Sequence, residues 1–80
     1  MKTIHVQYFA AYREAVGASS EALQTSAAST GDLFEELQRR HPSLERYDAM
    51  RVAINDAMAS WDDSIADGDR VLLFPPVAGG

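Results

Sequence analysis

One segment of this chain is committed to helix, and nearly everything around it reads as strand. Thr30 to His41, TGDLFEELQRRH, places Leu33, Phe34 and Leu37 on one stripe at helical spacing. Acids fall in its early turns and Arg39, Arg40 and His41 in its last, which complements the helix dipole. Thr30 is the expected N-cap, Pro42 ends the segment, and His41 is expected to meet the last helical carbonyls. A helix with one apolar stripe must bury it against another layer. No second long helix exists to supply that layer, so the partner must be a sheet.

The strands can be read from period two. In Thr3 to Ala10, TIHVQYFA, Ile4, Val6 and Tyr8 share one face, while His5, Gln7 and Phe9 share the other. Ala11 to Val16 reads as a short helix stopped by Gly17. A weaker strand follows around Glu21 to Thr25, and a turn at Gly17-Ala18-Ser19 would pair it antiparallel with the first. Arg51 to Ile54 is a short strand, Asn55-Asp56 a turn, and Met58 to Trp61 a further strand. Asp62 to Asp69 is turn chemistry. Arg70 to Phe74 is the last strand, with Val71 and Leu73 on one face and Leu72 and Phe74 on the other. The expected class is α+β, a mixed sheet of four to five strands with one main helix packed across it. Residues 1–74 form the expected domain, and residues 75–80 an extended, flexible tail.

Composition narrows the function classes. The chain has 80 residues, 46% hydrophobic, which permits one small core and leaves little room for a deep substrate pocket. With no cysteine, it has no disulfide, thiol nucleophile or Cys-based metal site. The net charge of −5 argues against nucleic acid and favours a partner with a basic docking surface. No apolar stretch approaches membrane-spanning length, and MKTIHVQYF lacks the apolar run of a secretory signal, so no membrane role and a cytoplasmic setting are expected.

Motifs for resident chemistry fail on inspection. If Asp63, Asp67 and Gly68 began a calcium loop, Ile65 would fall on a ligand position and Phe74 where a bidentate Glu is needed. Asp67-Gly68-Asp69 is therefore a tight turn. His5 and His41 lack metal-ligand spacing, and no GxSxG occurs, so no metal site or nucleophilic serine is expected.

Two features remain. Phe9 and Phe74 are apolar in the outward phase of their strands. If the first and last strands are neighbours, the two rings meet on the outer face, with Met58 joining from a nearby edge. Such a cluster marks a docking surface unless a loop or the short helix covers it. The second feature is Pro75-Pro76-Val77-Ala78-Gly79-Gly80. The two prolines favour an extended, stiff path, and the residues after them are small. From Phe74 the segment reaches roughly 20 Å, at about 3.1–3.6 Å per residue. Such a probe fits a narrow channel in another protein. Its reactive group would be the α-carboxylate of Gly80. A carboxylate is a poor acyl donor until joined to a leaving group such as AMP, and glycine obstructs the subsequent attack least.

These residues resemble a known family. Phe9-Ala10-Ala11-Tyr12-Arg13-Glu14-Ala15-Val16-Gly17, Val52-Ala53-Ile54-Asn55, Asp67-Gly68-Asp69-Arg70-Val71 and Phe74-Pro75-Pro76-Val77-Ala78-Gly79-Gly80 are similar to segments of molybdopterin synthase small subunits. These are the MoaD sulfur carriers of the MoaD/ThiS ubiquitin-like group. The ending is the specific part, and the stretch from Ser19 to Met50 agrees in pattern more than in letters.

The resemblance implies a ubiquitin-like β-grasp fold. It implies that an E1-like adenylating enzyme activates Gly80 with ATP and Mg, neither of which this chain would hold stably. A sulfur donor would then convert Gly80 to a thiocarboxylate, with Gly79 beside it in the channel. The charged carrier would dock on the large molybdopterin synthase subunit, two carriers to a dimer of it, and pass sulfur to cyclic pyranopterin monophosphate. Phe9, Met58 and Phe74 would face the partner, and Pro75, Pro76, Val77 and Ala78 would thread into it. Arg13 matches the family's arginine and would pair with an acidic partner group or brace the tail's base. The chain would be a subunit of a sulfurtransferase, non-catalytic alone. A sulfur carrier for thiamine-type synthesis, a ubiquitin-like protein modifier and an inert interaction domain stay open as alternatives.

Overall fold

The computed structural model describes residues 1–46 and 49–75. Seven elements follow in chain order. They are β1 (Lys2–Tyr8), α1 (Ala11–Val16), β2 (Ser20–Thr25), α2 (Thr30–Arg40), β3 (Arg51–Ile54), β4 (Ala57–Ala59) and β5 (Arg70–Phe74). The strands form one sheet in the order β2-β1-β5-β3-β4. The central pair, β1 and β5, is parallel, and the other pairs are antiparallel. This mixed sheet with one main helix is the ubiquitin-like β-grasp arrangement of the α+β class.

Alternation in the strands dictates the layering. Ile4, Val6 and Tyr8 of β1, Leu23 of β2, Val52 of β3, and Val71 and Leu73 of β5 point to one side and are fully buried. Leu33, Phe34 and Leu37 of α2 close over them, joined by Tyr12, Leu44, Met50 and Ile65. Burial of large apolar side chains at about 1.5–3 kcal/mol each is the main force holding helix to sheet. Among the described residues no helix crosses the other side of the sheet.

The turns fold as their residues require. Gly17 adopts φ 84° and its N–H donates to the Arg13 carbonyl, closing α1 in a left-handed C-cap. Asn55 and Asp56 have φ 50° and 70°, the two left-handed positions of a two-residue hairpin between β3 and β4. The Asp67-Gly68-Asp69 stretch is the tight turn expected. The Thr3 N–H donates to Asp67 Oδ1 at 2.7 Å, and the Ala66 N–H to Asp69 Oδ2 at 2.8 Å. Each carboxylate thus accepts from a backbone N–H that the turn brings to it. Among the described residues no group of three or more His, Asp or Glu is placed to hold a metal.

Three local expectations are corrected. The N-cap of α2 is Ser29, not Thr30: Ser29 is extended at φ −130° and accepts from the Asp32 N–H. Thr30 is the first helical residue, buried, and its hydroxyl donates to the Ser60 carbonyl at 2.8 Å. The fourth strand is Ala57–Ala59, not Met58 to Trp61. The chain leaves the sheet at Ser60, whose N–H donates to Asp63 Oδ2, while the Trp61 carbonyl accepts from the Gly31 N–H at 2.9 Å. The start of α2 therefore docks on this loop through its otherwise unsatisfied N–H groups.

The third correction concerns His41. Its backbone N–H closes the helix on the Leu37 carbonyl, but its ring turns to strand β2, with Nε2 2.8 Å from Glu21 Oε2. The same carboxylate oxygen accepts from the Tyr8 hydroxyl at 2.6 Å. Burial pushes the Glu21 carboxyl upward, but the hydrogen bonds from Tyr8 and His41 and the charges of His41 and Arg40 together hold it below its ordinary value. Burial, then Glu21, drives the Tyr8 phenol far above its ordinary value. The cluster ties β1, β2 and the end of α2 together.

Candidate functional site

The candidate site lies on the uncovered face of the sheet, where β1 and β5 run side by side. Their parallel register pairs Tyr8 with Leu73, so Phe9 and Phe74, each one residue further on, emerge together. The rings stack with centroids 4.6 Å apart and planes 13° off parallel. Both are half-buried. Ala10, immediately after, takes φ 50° and ψ −125°, a backbone region that costs a non-glycine residue of order 1–3 kcal/mol. That bend turns the chain from β1 into α1, whose first turn is closed by the Tyr12 N–H on the Phe9 carbonyl at 3.0 Å.

The apolar face is wider than the pair of rings. Register aligns Gln7 with Leu72, Leu72 with Ala53, and Ala53 with Met58 across four strands. Met58 is 66% exposed at the edge, whereas Leu72 and Ala53 keep only 9% and 3% of their surface exposed. Met58 therefore joins Phe9 and Phe74 through Leu72 and Ala53, about 10 Å from β5 at two strand spacings. Sequence reasoning named Phe9, Phe74 and Met58. It put Leu72 in the outward phase without assigning it to the face, and Ala53 was missed. Strand register places it there, and local sequence does not display register.

The remaining expected residues divide in two. Arg13 is exposed on α1 and makes no ion pair among the described residues. Pro75, directly after β5, is buried. Pro76, Val77, Ala78, Gly79 and Gly80 lie outside the described residues. No pocket opens among the described residues, and no helix there is long and apolar enough to cross a membrane.

The sequence profile of the ThiS family matches residues 6–80. The chain belongs to the ThiS family. A molybdopterin synthase sulfur carrier subunit of Mycobacterium tuberculosis is 32% identical over 83 residues, spanning 100% of both chains. Small archaeal modifier protein 1 of Haloferax volcanii is 37% identical over 62 residues, covering 66% of this chain and 71% of the relative. The crystal structure of SAMP1 from Haloferax volcanii superposes with a TM-score of 0.83 at 30% identity, over 98% of this chain and 99% of that one. The SAMP1 chain thus shares the fold over nearly its whole length.

Proposed function

We propose that this protein is the sulfur carrier subunit of a molybdopterin synthase. The observation that carries this reading is its end-to-end likeness to the M. tuberculosis sulfur carrier subunit. The geometry supports it. The final strand closes on Phe74, which belongs to the outer apolar face, so a segment leaving β5 starts beside the surface a partner would cover.

In this reading Gly80 is adenylated by an E1-like enzyme that uses ATP and Mg. The acyl-adenylate supplies the leaving group that a carboxylate lacks, and a sulfur donor displaces AMP to leave a thiocarboxylate. The large synthase subunit then receives the tail. Phe9, Phe74 and Met58 seat against it, and Pro76 to Gly79 thread the thiocarboxylate toward cyclic pyranopterin monophosphate. The two prolines limit the conformations lost on insertion, which lowers its entropic cost. The partners supply the acid–base groups and the nucleotide site, so the carrier contributes delivery and positioning.

A second reading, a ubiquitin-like protein modifier, is favoured by the likeness to small archaeal modifier protein 1. The same acyl-adenylate would then be attacked by an amine. A reconstituted reaction decides between them. Sulfur transfer to the pterin precursor, with the large subunit present, supports the carrier. Protein conjugates formed without any sulfur transfer support the modifier.

A further inference from the structure

We propose that Arg51 is a specificity-determining charge on the docking face, and that the partner seated on Phe9, Phe74 and Met58 sets a carboxylate against it. The inference rests on the reading of this face as a docking surface. Arg51 is the direct register partner of Phe74 and points outward, exposed, on β3. Residues so paired hold their Cβ atoms about 4.5–5.5 Å apart, so Arg51 stands at the rim of the apolar cluster.

The charge of this face differs from that of the chain. The sequence carries 12 acidic residues against 7 Lys and Arg. Yet every outward position of the five strands, judged by alternation and register, is apolar, neutral or basic. Arg70 on the same face is neutralised by Asp56 in the β3–β4 turn. Arg51 makes no ion pair among the described residues. Whole-chain charge favours a basic partner from a distance. At contact, however, charges beyond about 10 Å are screened and the local group decides. A partner that covers Phe74 desolvates Arg51, and an unpaired guanidinium in that position opposes binding. A carboxylate opposite it removes the penalty and rejects surfaces that lack one.

The test is titration calorimetry of the full chain against the large molybdopterin synthase subunit of the same organism, at low and high salt. Arg51→Glu is expected to weaken binding about tenfold or more, and Arg51→Met to weaken it less while flattening the salt dependence. Arg39→Glu makes the same charge change on α2, away from this face, and is expected to stay within about twofold. Thermal melts confirm that each variant is folded, and Arg51→Met keeps the test valid should Arg51→Glu fail to fold. If Arg51→Glu or Arg51→Met behaves like Arg39→Glu while Phe74→Asp loses binding, the role of Arg51 is overturned and the docking face stands. If the wild type does not bind, or Phe74→Asp binds normally, the docking reading falls and this inference with it.

Discussion

The rings of Phe9 and Phe74 lie 4.6 Å apart and nearly parallel on the outer face of β1 and β5, the two strands that pair in parallel at the centre of the sheet. The stack rigidifies the point where β5 ends, and it leaves one aromatic surface half-open to a partner. A double-mutant cycle of Phe9→Ala and Phe74→Ala should show a coupling of about 0.5–1.5 kcal/mol by chemical denaturation. Phe74→Asp should stay folded and lose affinity for the large subunit about tenfold or more. Unchanged affinity would remove these rings from the interface.

Glu21 should give the fold an acid limit. Its carboxyl is held below the ordinary value in the folded state, so its contribution is present above the unfolded range near pH 4.3. That contribution is lost as pH falls through the folded value. Tyr8 works at the other end. Its phenol is raised, so its contribution is complete below about pH 10 and fades as pH rises beyond that. Glu21→Gln should flatten the acid arm of a stability–pH curve, and Tyr8→Phe the alkaline arm. Curves that superpose on the wild type would refute the cluster's role.

The Asn55-Asp56 turn should resist substitution more than a surface loop does. Asn55 sits at φ 50°, its Oδ1 accepts from the Arg70 N–H at 2.9 Å, and its Nδ2 donates to Asp69 Oδ1 at 3.0 Å. Asn55→Ala loses both bonds and keeps the left-handed backbone. A destabilisation of about 1–3 kcal/mol is expected by urea denaturation, and one below about 0.5 kcal/mol would contradict this account of the turn.

Gly31 lies close against the loop after β4. A Cβ there would stand 3.0 Å from the Trp61 carbonyl oxygen, a backbone atom that cannot swing away. Gly31→Ala should therefore destabilise by about 1–3 kcal/mol, although alanine is the better helix former by about 1 kcal/mol. A stabilised variant would show that the loop yields freely.

Much of this was legible in the sequence because it depends on local periods. Period two separated Ile4, Val6 and Tyr8 from Phe9, and Val71 and Leu73 from Phe74. The helical stripe of Leu33, Phe34 and Leu37 located the covering layer. The misses are all long-range. Ser29 and Thr30 are both capping residues, and the bond from Thr30 to Ser60, thirty residues away, assigns the cap to Ser29. The fourth strand stops at Ala59 because Asp63 and the start of α2 hold the next residues. His41 turns to Glu21, twenty residues earlier, and no local pattern announces that partner. Arg51 meets Phe74 only through the β3–β5 register.

The central claim is that Gly80 carries activated sulfur. Deleting Gly79-Gly80 should leave the melting temperature unchanged, since neither glycine has a side chain to bury, and abolish sulfur transfer. The most direct measurement is the intact mass of the full chain after incubation with an E1-like enzyme, ATP and a sulfur donor. The account predicts a gain equal to the replacement of one oxygen by one sulfur, located to Gly80 by fragmentation and absent from the deletion variant. An unchanged mass, with the same enzymes charging a control carrier, would contradict it.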